Sequence, residues 1–355
     1  MVCGFNVGQK SSARSVGKVL IPPHVTVLLS VYNGERFLAE AIDSILGQSY
    51  ENYEFIIIDD ASTDSTAEIL KRYARKDSRI KIVTNPVNLR LAASLNKGIS
   101  LASGELIARM DADDVSLPGR LEKQVAFMQA NPNVSVCGTA LSVYDSPSTV
   151  WLPPLDNDSI RAMLFFESCL YHPTVIMRKS IFNGLDSPYF SSMLPAEDYD
   201  LWSRVAQRKE ILFANLPAPL LRYRINEGKG RSEYKQRQRE AADMVRLNLL
   251  HSIGLKPTNQ ELAAHRALAL REQGLTNIRL WQCFIWLKIF HTAAANSVPC
   301  GKKALNKEII RRILQISVAN RKKLVVLPIL LVGRVGRISK RMIKFFTKIR
   351  EVHKC

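Results

Sequence analysis

The chain has 355 residues, 46% of them hydrophobic, enough for one large domain with an appendage. Its cysteines, Cys3, Cys137, Cys169, Cys283, Cys300 and Cys355, lie far apart with no C-x-x-C pair, which argues against a zinc ribbon and a disulfide framework and suits a reducing cytosol. The net charge of +18 is uneven: from Gly301 to Cys355 sixteen Lys or Arg face only Glu308 and Glu351, so +14 sits there and the remainder is close to balanced.

Residues 1–22 carry Gly, Ser and Lys without periodicity and read as a flexible lead-in, with no secretory signal pattern. His24 to Val31 reads as a buried strand, and Asn33 is placed to cap a helix in which Phe37, Leu38, Ala41, Ile42, Ile45 and Leu46 form one apolar face. Glu54 to Ile58 is a second apolar strand, ending in Asp59 and Asp60. Ser62-Thr63-Asp64 opens the next helix, with Ile69, Leu70 and Tyr73 inward. A short strand over 80–83 precedes a helix carrying Leu91, Leu95 and Ile99, and then Leu106-Ile107-Ala108 leads into a third strand end. Strands alternating with helices of ten or more residues predict a largely parallel sheet covered on both faces. A more mixed half begins at Val134, and from about Arg231 the pattern is helical. The expected organisation is an α/β domain over 23–230, in halves of 23–125 and 126–230, followed by a helical extension over 231–355.

The strongest chemical signal is Arg109-Met110-Asp111-Ala112-Asp113-Asp114, three carboxylates within four residues directly after a buried strand. Unpaired carboxylates repel one another and resist desolvation, so such a cluster calls for a cation, and a divalent metal holding a diphosphate would supply one. Ligands of open α/β sheets bind outside the carboxyl ends of the strands. Three strands ending in Ser30-x-Tyr32, Asp59-Asp60 and Asp111-x-Asp113 therefore bring polar groups to one crevice.

These segments resemble the nucleotide-sugar-binding half of a family 2 glycosyltransferase with the GT-A fold, a Rossmann-like, mostly parallel mixed sheet flanked by helices. The resemblance runs in order from Val27 to Asn33, Ala41 to Ser49 and Phe55 to Asp64, through Asn88 to Ile99 and Met110 to Asp114, to Leu117-Pro118-Gly119-Arg120-Leu121. Tyr171-His172-Pro173-Thr174 and Ala196 to Trp202 are similar to the family's acceptor-side motifs, so the match spans roughly residues 25 to 225.

The resemblance implies an inverting, metal-dependent transfer of one sugar from a nucleoside-diphosphate donor, most often a UDP-sugar, to a hydroxyl of a glycan or lipid-linked acceptor in surface-polysaccharide assembly. Asp113 is the expected ligand of Mn²⁺ or Mg²⁺. Asp111 lies nearer the ribose or donor sugar as a second metal candidate, with Ala112 between them and Asp114 in support. The donor pocket is expected to draw on Ser30, Tyr32, Asn33, Glu35, Asp60, Asn88, Arg90 and Asn96. Arg90 stands where many relatives carry Gly. Asp198 is the expected general base with Glu197 beside it, and His172 and Trp202 are assigned to the acceptor side; the Pro after His172 predicts an extended segment there. Many relatives have Tyr-Arg-x-His where this chain has Tyr223-Arg224-Ile225-Asn226, and Lys229 and Arg231 are candidates for the missing charge. A nucleotidyltransferase would want a Gly-rich basic loop where this chain has Tyr32-Asn33-Gly34-Glu35. A non-catalytic nucleotide-sugar-binding scaffold would want a broken Asp cluster.

Beyond Leu324 to Val332 the basic residues alternate with Val335, Ile338, Met342, Ile343, Phe345, Phe346 and Ile349 at about helical spacing. That pattern predicts peripheral attachment to an anionic membrane, on the cytoplasmic face, and no nucleic-acid partner. The uninterrupted apolar run is about half the ~20 residues a span requires.

Overall fold

The computed structural model describes residues 25–225, 231–297 and 300–320. The expectations for 1–22, Asn226, Lys229, the Arg231 side chain and 321–355 lie outside the described residues.

Nine strands form one mixed sheet: β1 (Val25–Val31), β2 (Tyr53–Asp59), β3 (Ile80–Thr84), β4 (Leu106–Asp111), β5 (Val115–Ser116), β6 (Val134–Val143), β7 (Ser146–Trp151), β8 (Ile176–Arg178) and β9 (Leu212–Tyr223). They run in the order β3-β2-β1-β4-β8-β6-β9-β5, with β7 pairing β6. The first four are parallel, as the strand–helix alternation predicts, and the sheet turns mixed where β8 pairs antiparallel to β4. Side chains of a strand alternate between faces. In β1, Val25, Val27, Leu29 and Val31 join one apolar cluster and Leu28 the other; in β2, Phe55 and Ile57 are divided in the same way from Ile56 and Ile58. Both faces are buried, which is why these strands read as continuous apolar runs.

The helices are α1 (Leu38–Leu46), α2 (Thr66–Ala74), α3 (Arg90–Leu101), α4 (Arg120–Ala130), α5 (Asn157–Leu164), α6 (Glu197–Val205), α7 (Arg231–Ser252), α8 (Asn259–Leu270), α9 (Asn277–Ser297) and α10 (Lys302–Ala319). α1, α2 and α4 cover one face of the sheet; α3, α5 and α6 cover the other. α7 to α10 share that second core: Leu249, Leu268, Trp286, Phe290, Ile309 and Ile313 join the cluster containing Phe165, Phe166 and Tyr199. An ion cluster ties the helices to the sheet domain. Glu167, just after α5, accepts from Arg271 at 2.9 Å, Arg311 at 3.0 Å and the fully buried Arg312 at 2.6 Å, and Arg312 also reaches Glu308.

His265 of α8 is buried against Phe166, its ring stacked at 4.8 Å. Trp286 donates its indole N–H to Nδ1 at 3.0 Å, so the ring is the Nε2–H tautomer and donates to the Phe165 carbonyl at 2.7 Å. Burial pushes its pKa from 6.5 down to about 3. The unfolded chain therefore binds a proton below 6.5 that the native state refuses, so stability present above pH 6.5 is lost as pH falls toward 3. The loss is about 2 kcal/mol at pH 5 for this residue alone. Buried carboxyls with raised pKa values act in the opposite direction. The urea midpoint should therefore be compared across pH 7 to 5 in wild type and His265→Gln, and the variant should show the shallower acid loss.

Two local expectations need correction. Asn33 does not cap α1: the helix begins at Leu38 behind Phe37, and Asn33 stands in a left-handed conformation at φ 53° with its side chain committed elsewhere. His172 is not extended, because His172–Thr174 forms a 3₁₀ turn. A proline in a first turn removes only an N–H that has no intrahelical acceptor, so Pro173 fits there.

Candidate active site

The loops at the carboxyl ends of β1 and β2 are clasped together. Asn33 donates its N–H to Ser62 Oγ at 3.0 Å and accepts from the Thr63 N–H at 2.8 Å. Glu35 donates its N–H to Asp64 at 3.0 Å and accepts from the Ser65 N–H at 3.1 Å, while Gly34 donates to the buried Thr66 hydroxyl. A Cβ on Gly34 would come within 2.4 Å of the Val31 side chain, so the turn requires glycine for close approach. Asn33 and Glu35, expected at the donor, join the two loops beside the strand ends. Asn96 likewise spends its carboxamide on Ser187 and Tyr189, accepting from the Tyr189 N–H at 2.9 Å, which fastens α3 to the segment ahead of α6.

Ser30, Tyr32, Asp60, Asn88, Arg90 and Leu91 line one open cleft of about 600 Å³. Five of these residues are ones the sequence placed at the donor. Asp60 is buried, and its Oδ1 accepts from Asn85 at 2.7 Å and from the Leu89 N–H at 2.8 Å. Asn85 in turn accepts from Lys97 at 2.8 Å. Arg90 is left-handed at φ 67°, with its N–H on Asn88 Oδ1 at 3.0 Å. A left-handed backbone of this kind is one that glycine adopts more readily than arginine.

The Asp cluster follows β4, and three arginines brace it. Arg109, 1% exposed, donates to Asp111 at 2.6 Å. Arg120 is buried and donates to the Arg109 carbonyl at 2.7 Å. Arg224, beyond β9, donates its N–H to Asp114 Oδ1 at 2.8 Å, its Nε–H to the Asp113 carbonyl at 2.9 Å and Nη2 to Glu40 at 2.8 Å, and lies 3.5 Å over the Tyr144 ring. Ala112 packs against the apolar cluster beneath. Asp114 is buried, and burial, then Asp111 and Asp113, raise its pKa well above the usual carboxylate range. Sequence reasoning missed Arg109 and Arg224 as supports. The signal for Arg109 was a charge inside an apolar strand, and for Arg224 there was only its place in the Tyr-Arg-x-Asn segment.

Glu197 and Asp198 open α6 on the other side of this cluster. Burial raises the pKa of both; the Asp198 charge adds to the rise of Glu197, and for Asp198 the Tyr199 N–H opposes the rise before the Asp111 charge adds to it, while the buried Arg109 opposes it in each. The Tyr199 N–H bonds Asp198 Oδ1 at 2.7 Å and orients it. Asp200, by contrast, is paired with Arg204 at 2.8 Å. His172 is buried and kept neutral by burial and by Arg109; its Nε2 lies 2.8 Å from the Tyr189 hydroxyl and its ring is edge-on to Trp202. Trp202, assigned to the acceptor side, is fully buried, so it supports His172 from below. The pKa of Tyr234 of α7 is raised to about 12, first by its partial burial and then by the charges of Glu197, Asp198 and Asp111. The sequence contained no sign that α7 reaches this site.

A divalent metal is compatible with this donor set. Asp114 Oδ2 and Glu197 Oε2 are buried oxygens with no hydrogen-bond partner, an excess of negative charge that a cation would relieve. Among the described residues no three His, Cys, Asp or Glu groups converge as a protein-only cage would. Mg²⁺ commonly takes one or two carboxylates and completes its shell with phosphate and water, so Asp113 and Asp111 suffice for such a site.

The architecture is that of GT-A glycosyltransferases: the Staphylococcus aureus TarS structure in complex with UDP-GlcNAc superposes with a TM-score of 0.53 over 83% of this chain and 91% of that one, at 17% identity. The glycosyl transferase family 2 model matches residues 26–185. An uncharacterized glycosyltransferase of Haemophilus influenzae is 37% identical over 243 residues, 63% of this chain and 72% of that protein. The O-antigen biosynthesis glycosyltransferase WbnJ of Escherichia coli is 34% identical over 57% of this chain and 80% of that protein. The chain belongs to glycosyl transferase family 2.

Proposed function

We propose that this chain moves one sugar from a UDP-sugar to a hydroxyl of a glycan or lipid-linked acceptor, with inversion, in the assembly of a cell-surface polysaccharide. The observation that carries this reading is the meeting of the Asp111–Asp114 cluster with Glu197 and Asp198 across the buried Arg109, beside the cleft of Ser30, Tyr32 and Asp60. WbnJ supports the polysaccharide setting by its similarity.

In the reaction, Tyr32 offers an exposed ring for a base to stack on, and Asp60, held rigidly by Asn85 and Leu89, accepts from the base. Asp113 and Asp111 would hold Mn²⁺ or Mg²⁺, which when bound neutralises charge developing on the leaving diphosphate. Asp198 takes the acceptor proton. Its raised pKa makes it a stronger base than an ordinary aspartate, and the Tyr199 N–H fixes the carboxylate. No helix among the described residues is long and apolar enough to cross a membrane. The basic apolar sequence after Asn320 supports attachment to an anionic membrane surface on the cytoplasmic side.

The test is calorimetric titration of the folded chain with UDP, GDP and dTDP, each with and without Mn²⁺. Metal-dependent binding of UDP alone is expected. Preference for GDP or dTDP would replace the donor, and no binding of any nucleotide would overturn the reading.

A further inference from the structure

α9 carries an apolar stripe that the described residues leave largely uncovered. Ile278, Trp281, Ile285 and Ile289 fall on one side of the helix over three turns, about 16 Å, with Ile278 72% and Ile285 59% exposed. The opposite side, Leu280, Cys283, Trp286, Leu287 and Phe290, is buried in the core, so α9 is apolar on both sides and only one has a partner. A soluble surface rarely leaves four large apolar residues aligned without use.

The charge around the stripe says what that use is. Lys288 borders it on the Trp281 side and Arg279 lies beside its start, both exposed. From residue 277 to 320 Glu308 is the single acid and is turned inward onto Arg311 and Arg312, which leaves Arg279, Lys288, Lys302, Lys303 and Lys307 as the cations outside that ion cluster. Asn320, at the end of α10, accepts from the Leu275 N–H at 2.7 Å and donates to the Glu272 carbonyl at 2.9 Å. The chain therefore leaves α10 at the end of the bundle where α9 begins, close to where Ile278 and Val318 are most exposed. The sequence after Asn320 adds eleven Lys or Arg against one Glu. Bulky apolar groups with a Trp and a cationic rim, in which the one acid near the stripe, Glu272, is paired with Arg279 at 4.0 Å, match the interface of an anionic bilayer, where the indole and isoleucines enter the acyl boundary and the ammonium and guanidinium groups meet phosphate.

We propose that the exposed face of α9 is a membrane-docking surface for anionic phospholipid, seated next to the departure point of the basic C-terminal sequence. This rests on the membrane attachment proposed above and names a second, folded element that makes the contact.

The test is flotation of the full chain with vesicles of phosphatidylcholine and phosphatidylglycerol in a three-to-one ratio, for wild type, Trp281→Ser/Ile285→Ser and the control Leu152→Ser, whose side chain is also exposed. The double variant should lose at least about tenfold in partitioning with its far-UV spectrum unchanged, while the control should bind like wild type. Brominated lipid should quench emission in wild type and much less in Trp281→Phe. Equal flotation of the double variant, with no quenching of Trp281, would overturn the α9 surface while leaving attachment through the C-terminal sequence intact. No flotation of wild type would overturn both. A wild-type dimer that the double variant dissolves, seen by sedimentation without vesicles, would assign the stripe to a second copy and overturn the proposal.

Discussion

Asp198→Asn should lower kcat by about 10²–10⁴-fold while leaving nucleotide affinity within about twofold of wild type. The substitution keeps the shape of the side chain and an oxygen for the Tyr199 N–H at 2.7 Å, so α6 should open as before and only the proton acceptor is lost. The same residue sets the acid limb of the pH profile. A base works when deprotonated, and burial together with the Asp111 charge raises its pKa. Activity should therefore fall as pH drops through a value above that of an ordinary aspartate, and rise to a plateau on the alkaline side. Steady-state kinetics from pH 5 to 9 against a fixed acceptor checks both statements. An Asn variant with wild-type kcat would remove Asp198 from the chemistry and direct attention to Glu197, which burial and the adjacent Asp198 also hold above its usual range.

Asp113→Ala should weaken nucleotide binding in the presence of Mn²⁺ by at least about 100-fold and leave the weaker, metal-free binding nearly unchanged. The loop should survive the change because Arg224 grips it through the Asp113 carbonyl and the Asp114 carboxylate, neither of which the substitution removes. The contrast between the two titrations is the readout. Equal loss with and without metal would mean that Asp113 contacts the nucleotide or shapes the loop, and that no metal is held there.

Several features of the site were legible in the sequence for identifiable reasons. A run such as Phe55-Ile56-Ile57-Ile58 ending in two aspartates cannot hide its register: period-two alternation buries the apolar residues on both faces and leaves the strand end to present polar groups. The positions of Ser30, Asp60 and Asp111 at strand ends follow from that alone. What Asn33, Glu35 and Asn96 do in the fold was not legible, because short polar side chains next to a ligand site serve equally well as ligands and as loop fasteners, and only the tertiary structure shows their bonds to Thr63, Ser65 and Tyr189. The burial of Trp202 was likewise not legible, since a tryptophan in the second turn of a motif helix gives no sign of which side it faces.

By itself, then, the sequence determined the parallel core, the order of its strands and helices, the acidic strand end and its family, because each depends on local periodicity or on contiguous residues. Tertiary structure alone decided that Arg109 and Arg224 brace the Asp cluster, that Tyr234 of α7 overlooks Glu197 and Asp198, and that α7 to α10 share a core with Phe165 and Phe166. Apart from Arg109, which lies two positions from Asp111 but is buried by the fold around it, those partners are separated by tens to more than a hundred positions along the chain. Which of them meet is set by how buried area and charge pairing are shared across the whole fold, a quantity no local window contains.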